Sequence, residues 1–462
     1  MRSGPGGVAS SCGMARPVSD DGAPPPSPSP SPSPDFGAGA RWAGAGRGRR
    51  GIALGVGAVA VVAVVLLAVQ LVSGNRSHPS PRAAAGSTAD PLSIVRKGAQ
   101  LIDQGGEDVQ LRGVNRSGTE YRCRQADDAG FITDDGTGGR RLADADGIGA
   151  ELRRWTTADG QPVVNVVRIP LNEDCWLGIN GVDPRFGGSR YQAFIAREVR
   201  AITRAGIYPI IDLHWSGPGT DRADQQDVAP NADHSVTLWS QVARTFKDNP
   251  AVMFDLFNEP RIDCGTAACR DYPTYVAQVW GCYRDGCTYT YRPEDAVAGR
   301  SGSFRVAGTQ QLVDAIRATG ARNVIQIEGL GHGNALDNWI RYRPKDPLDQ
   351  LVAQIHTYPS SGRSATDSTK LDVDLAQGRL STRYPIVVGE FAEATCPGAA
   401  STGFAERTMT WADQHGYGYL AWAWDAGQGT GCDRYALVTS DRTGRPTAAG
   451  LIVLAHLRTR FG

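Results

Sequence analysis

Two glutamates, Glu259 and Glu390, each stand directly after a short apolar run, and six other residues with usable chemistry hold similar positions. Arg168 lies near the end of the run Val163–Ile169 and His214 follows IIDL. Asn258 precedes Glu259 after FDLF, His356 and Tyr358 follow the run that ends at Ile355, and Trp422 lies near the end of YLAWAW. A charged group at the end of a buried strand is costly unless it is paired or working. Any one of these is ordinarily just a residue where a strand surfaces; eight of them at strand ends are not explained that way. Two carboxylates on opposite strands of a narrow barrel could act on a glycosidic bond. One, protonated, donates to the leaving oxygen, and the other, ionised, works from the far side of the anomeric carbon. The two environments must then pull the pKa values apart. Arg168, with a hydrogen bond from Tyr358, is expected to hold Glu390 ionised, and repulsion from that charge is expected to keep a proton on Glu259.

The elements that would position these residues repeat as strand then helix, eight times. A hairpin around Gln100–Asp103 and Val109–Leu111 leads into a first strand ending near Val114-Asn115. The next strands are expected at Val163–Ile169, Tyr208–Leu213, Val252–Phe257, Asn323–Ile327, Leu351–Ile355, Pro385–Val388 and Tyr417–Ala423. Helices are expected from about Arg190 to Ala205, after Asp233, and from Ala448 to Arg458. Runs such as VVNVV, YPIIDL and IVV are apolar on both faces, as strands of an all-parallel sheet must be. Eight such units point to a (β/α)8 TIM barrel, whose strand ends converge on one catalytic face. The rival is an open doubly wound sheet, but no Gly-rich phosphate fingerprint follows the first strand.

The rest of the chain sets the context. With 48 basic and 48 acidic residues, net charge is zero, so no long-range field favours nucleic acid. Residues 1–50 are rich in Gly, Pro, Ser and Ala, too poor in apolar surface to offset chain entropy, and are expected to be a disordered cytoplasmic tail. Ile52 to Val72 is apolar except for Gln70, long enough to span a bilayer, and preceded by Arg47, Arg49 and Arg50. Residues 51–72 thus read as a transmembrane helix or signal anchor, with a cleaved signal peptide as the alternative. Either way the large domain lies outside the cytoplasm. Residues 73–92 are a polar linker and 93–462 the catalytic domain. Eight of the nine cysteines lie beyond the apolar segment, which suits disulfides in an oxidising compartment. Pairing cannot be deduced; Cys123–Cys175 and Cys396–Cys432 are expected, with Cys264, Cys269, Cys282 and Cys287 stapling one loop. Zinc is the competing reading, weakened because neither close pair has C-x2-C spacing and no histidine falls among them.

The strings VVRIPL, IIDLHW, FDLFNEP, IHTYP, VVGEF and YLAWAW, in this order, resemble glycoside hydrolase family 5, a cellulase-containing family of retaining barrel enzymes. The resemblance covers roughly residues 95–462 and includes GVNRSGTEY at the first strand. It implies that Glu259 is the acid/base and Glu390 the nucleophile that forms a covalent glycosyl-enzyme. Asn258 would bind the sugar 2-hydroxyl, and Arg168 and Tyr358 would orient Glu390. His214 and His356 would line the subsite and tune protonation around Glu259. Trp422 would be the stacking floor, with Trp424 as the alternative.

Two long segments, about Arg116 to Asp146 and Arg261 to Arg305, are expected on the catalytic face. Trp176, Trp215, Trp280 and Trp339 lie in or near loops and could stack on further sugars, or pack locally; Trp239 and Trp411 are expected in the core. Glu393 is read as structural or solvated, and His234, His332 and His415 as structural or surface residues. No cofactor or metal is implied. The expected ligand is a β-linked polysaccharide or oligosaccharide, met by a monomer held at a membrane through its N-terminal anchor. An endo-β-1,4-glucanase (cellulase) is the leading expectation. A β-mannanase or other β-glycan hydrolase, and a non-catalytic surface glycan-binding protein, are the alternatives.

Overall fold

The computed structural model describes residues 91–121, 123–124, 132–134, 140–142, 147–264, 271–358, 379–393, 403–426 and 435–461. Eight strands close into a barrel: β1 (Arg112–Asn115), β2 (Val166–Asn172), β3 (Tyr208–Trp215), β4 (Met253–Asp255), β5 (Ile325–Glu328), β6 (Leu351–Thr357), β7 (Ile386–Phe391) and β8 (Gly418–Ala421). Each pairs in parallel with the next and β8 pairs with β1, in the order the strand–helix repeat predicts. The strands are apolar on both faces because both are covered. Val166, Ile210, Met253, Val352, Val387 and Leu420 form one apolar cluster. Their neighbours Val167, Ile211, Phe254, Ala353, Val388 and Tyr419 join the other. That split is the two-residue alternation of a pleated strand.

The first cluster also contains Ile94 and Leu101, which belong to an antiparallel hairpin of Ile94–Lys97 with Gln100–Asp103. Ile94 donates to the carbonyl of Pro250, and Arg96 to those of Asp349 and Arg383, so the hairpin closes the end where β4, β6 and β7 begin. The hairpin's partner strand differs from expectation. Gly98 at φ 64 makes the tight turn, and of Val109–Leu111 only the Val109 amide bonds to Leu101, beside an isolated bridge between Asp108 and Ile102. β2 also starts and ends three residues later than the apolar run suggests. Val163 is held instead by its amide bond to Trp155 and packs in the core.

Helices Ser189–Arg204, Ser235–Phe246 and Ala448–Phe461 match the expected positions, the last running three residues beyond Arg458. The segment after β4 is not an irregular loop. It carries a helix, Tyr272–Asp285, capped by the Asp271 side chain on the Thr274 amide, and a hairpin of Thr288–Thr290 with Ser303–Arg305. The Cys282–Cys287 disulfide ties the helix end to that hairpin, and Cys264 is also disulfide-bonded. Bonded sulfurs are not thiolate ligands, so the zinc alternative falls for these three. Cys123–Cys175 is present as expected. The proposed Cys396–Cys432 pair and the apolar segment Ile52 to Val72 lie outside the described residues; among the described residues no helix is long and apolar enough to cross a membrane.

Candidate active site

All eight predicted residues gather at the ends where the strands finish. Arg168 on β2 is wholly buried at the axis. Its Nη1 donates to Oε1 of Glu390 at 2.6 Å and to Asn115 at 3.1 Å, its Nη2 to Oδ1 of Asn258 at 2.8 Å, and its Nε to Asp255 at 2.7 Å. Burial opposes its charge, but Asp212, Asp255, Glu390 and Glu328 raise its pKa well above the usual arginine value. One fixed fork therefore sets the positions of Glu390 and Asn258 together. Tyr358 donates to the other oxygen of Glu390 at 2.7 Å. Glu390 is aimed inward by a β-bulge: Ile355 pairs with Val388 but His356 with Glu390, leaving Gly389 as the extra residue. A Cβ at Gly389 would stand 2.5 Å from the Gln354 side-chain amide, so only glycine fits the bulge.

Glu259 faces Glu390 from the end of β4. One carboxylate oxygen of each, with a ring nitrogen of His356, falls within 4.8 Å of one another. Glu259 accepts from Gln226 at 3.1 Å, and its two oxygens lie 3.2 Å from Nδ1 of His356 and 3.5 Å from Nδ1 of His332. Its side chain is 17% exposed against 5% for Glu390, so it is the more open of the two.

The charge states depart from expectation. Burial works against the charge of His356, yet Glu328 and then Glu390 hold its pKa well above the ordinary histidine value. Burial likewise pushes Glu259 upward, but the hydrogen bonds from His332, His356 and Gln226 outweigh it and bring its pKa well below the usual carboxylate range. Burial raises Glu390 despite the nearby cations His356 and Arg168. In the open site, then, the proton expected on Glu259 resides on His356. The cause is the cation between the two carboxylates, which the strand-end pattern could not reveal.

His214 and His332 exchange their expected parts. Nδ1 of His214 bonds Asp212 at 2.7 Å, and its ring stacks on Trp422 with centroids 5.3 Å apart. It supports the floor rather than Glu259. The second imidazole at Glu259 belongs to His332, expected to be structural or surface, in a loop where Gly331, His332 and Gly333 are all left-handed. Trp422 is half-buried and suited to stacking, whereas Trp424 is buried against Trp155 and drops out as the alternative floor. Of the four loop tryptophans, Trp176, Trp280 and Trp339 are buried; Trp215 stays half-buried, 6.0 Å from Tyr121. Trp239 and Trp411 are buried, as expected of core residues, and buried Glu393 accepts from the Ala405 amide at 2.9 Å.

The sequence reading overlooked a polar layer beneath the site. Asp212, Asp255, Glu328 and Gln354 are all buried. Three of them follow an inward apolar residue by two positions: Ile210, Asp212, His214 on β3, Met253, Asp255 on β4 and Val352, Gln354, His356 on β6. That two-residue spacing was the available signal. Glu259, His356 and Glu390 are also, among the described residues, a trio close enough to hold a metal ion. Both ring nitrogens of His356 face carboxylates, Nε2 that of Glu328 at 2.6 Å and Nδ1 that of Glu259 at 3.2 Å.

The family model for cellulase (glycosyl hydrolase family 5) matches residues 160–428. A probable endo-β-1,4-glucanase B from Aspergillus niger is 25% identical over 196 residues, 41% of this chain and 46% of the relative, so the chain spans about half the length of the curated relatives it matches. Among solved structures, a β-glucanase from Saccharophagus degradans in complex with cellotetraose superposes with a TM-score of 0.53 at 16% identity, covering 84% of this chain and all of that one. The catalytic domain of a mannanase from Streptomyces sp. SirexAA-E gives 0.50 at 18% identity, covering 83% and 96%. These two likenesses speak to the fold, while the family match spans more than half the chain and both facing glutamates. The chain belongs to the cellulase family, glycosyl hydrolase family 5.

Proposed function

We propose that this chain is a retaining endo-β-1,4-glucanase, with Glu390 as nucleophile and Glu259 as acid/base. The observation that carries the reading is the separation of the two carboxylates, whose facing oxygens lie within 4.8 Å. Retaining glycosidases hold their carboxyl groups about 5–5.5 Å apart, whereas inverting enzymes leave roughly 6.5–9.5 Å for a water. A sugar stacked on Trp422 presents its anomeric carbon to Glu390, whose attack forms an ester as the glycosidic bond breaks and Glu259 gives its proton to the leaving oxygen. Water then donates a proton to Glu259 and attacks the same carbon, releasing Glu390. Asn258, fixed through Arg168, is placed beside the nucleophile for the 2-hydroxyl. Bound sugar strips water from the partly open Glu259 and so favours its protonated form, which the open site does not hold.

The A. niger relative's name supports β-1,4-glucan as substrate, and the mannanase neighbour places mannan in the same test. Incubation with carboxymethylcellulose, mixed-linkage glucan, xylan and mannan, with product analysis, should give cello-oligosaccharides whose first-formed anomer is β. Hydrolysis of mannan alone would reject the glucanase reading, and an α first product would reject double displacement. We further propose that residues 51–72 anchor the chain with residues 93–462 outside the membrane, the basic residues Arg47, Arg49 and Arg50 keeping the tail inside. Full-length protein should sediment with membranes and be shaved by external protease; recovery in the medium alone would favour cleavage.

A further inference from the structure

β5 ends in a carboxylate that belongs to none of the strand-end strings. Glu328 is fully buried. Its Oε1 lies 2.6 Å from Nε2 of His356 and accepts from the Gln354 amide at 2.8 Å. Its Oε2 accepts from the backbone N–H of Glu259 at 2.5 Å. Glu328 thus reaches Glu259 by two routes, through the main chain directly and through His356, whose other ring nitrogen faces the Glu259 carboxylate. The main-chain route is notable because Glu259 has φ 48 and precedes Pro260. A residue with a Cβ is disfavoured in that region, and such a conformation persists only where its surroundings hold it.

The imidazole route depends on which groups face His356. From β5 comes Glu328, from the end of β4 Glu259, and from β7 Glu390 at 3.6 Å. On its own strand, Gln354 links Glu328 to Asp255. Arg168 lies 3.5 Å from Glu328, Tyr358 sits on Glu390 and His332 on Glu259. Glu328 is the most closely placed carboxylate, and unlike Glu259 and Glu390 it makes no covalent or proton-transfer step in the proposed reaction.

We propose that Glu328 is a positioning residue for the acid/base: it fixes the left-handed backbone of Glu259 and supplies the countercharge that keeps His356 protonated and aimed at the Glu259 carboxylate. The inference rests on the reading of Glu259 as acid/base. Glu328→Gln keeps the shape and removes the charge; Glu328→Asp keeps the charge and shortens the reach. In the full chain, Glu328→Gln should let His356 lose its proton at a pH lower by about one unit, read by imidazole NMR with His356→Asn for assignment. Because the open site keeps the catalytic proton on His356, the basic limb of kcat/KM on cello-oligosaccharides, which reports the free enzyme, moves down by about one unit with it. Glu328→Asp should leave that limb in place while kcat falls at least tenfold, because the Glu259 backbone is no longer held.

An unmoved limb and unmoved His356 titration in Glu328→Gln would overturn the proposal while leaving the glucanase reading standing. If Glu328→Gln does not fold, wild-type kcat in Glu328→Asp overturns it equally. A wild-type chain inactive on every β-glycan removes both.

Discussion

Replacing Asp255 with asparagine should flatten the pH dependence of stability. Asp255 is wholly buried, and its Oδ2 accepts from Arg168 at 2.7 Å and from Gln354 at 2.8 Å. Burial, opposed by Arg168 and reinforced by Asp212 and Glu328, pushes its pKa up to about 8 from an ordinary 3.8. Between those values the folded chain binds the proton more tightly than the unfolded chain, so stability is fully present below pH 4 and declines until pH 8. A separation of about four units, at about 1.36 kcal/mol each, corresponds to roughly 6 kcal/mol. Asparagine cannot ionise and retains an acceptor oxygen for Arg168 and Gln354, so the variant loses that slope. At ~2.1 cal/mol/K per residue, the ~380 residues of the unit Gly86–Gly462 give an unfolding entropy near ~0.8 kcal/mol/K. The two proteins should therefore melt within about 1 °C of each other at pH 4 and diverge by roughly 7 °C at pH 8.5, the variant higher. Circular dichroism melts across that range provide the measurement. Parallel Tm-against-pH curves would show that Asp255 is ionised throughout, and the reasoning about the buried layer would fail.

Glu259→Gln should lower kcat on cello-oligosaccharides by about 10²–10⁴-fold and spare aryl cellobiosides with good leaving groups; equal losses on both would deny it the acid role. The Cys123–Cys175 bridge spans 52 residues, and replacing both cysteines with serine should cost about 4 kcal/mol in denaturant unfolding. A loss under 1 kcal/mol would mean that the surrounding packing holds the segment unaided. Trp339→Ala should destabilise by about 3–5 kcal/mol, since the ring is fully buried with its N–H bonded to the Ile327 carbonyl. Trp215→Ala should instead raise KM for long oligosaccharides roughly two- to tenfold with little change in Tm. A Trp215 variant that loses stability but not affinity would make that ring a packing residue.

The parts of the site that were legible in the sequence are those that interrupt a pattern. Arg168, Asn258, Glu259 and Glu390 stand out because a polar residue at the end of an apolar run needs a reason, and eight strand–helix units leave a closed barrel as the way to bring such ends together. The buried layer of Asp212, Asp255, Glu328 and Gln354 was harder to see. Asp212, Asp255 and Gln354 lie inside apolar runs, and only the inward phase of the strand, shared with Ile210, Met253 or Val352, separates them from surface positions, while Glu328 ends β5 two residues after another polar side chain, Gln326. Likewise Trp176, Trp280 and Trp339 sit near loops in the sequence but are buried, because helices and bonded cysteines fold those segments onto the barrel.

By itself, then, the chain's order of residues determined the barrel, the side of it that carries chemistry, and the two facing acids. Those follow from local alternation and from chain order, which the sequence states outright. The protonation of the site was decided only by tertiary contacts. Glu328, His356 and His332 come from different strands and loops, and the balance of burial against charge at Glu259 depends on ångström-scale distances between them. Electrostatic energies in a buried site vary steeply with such distances, and no one-dimensional spacing encodes them.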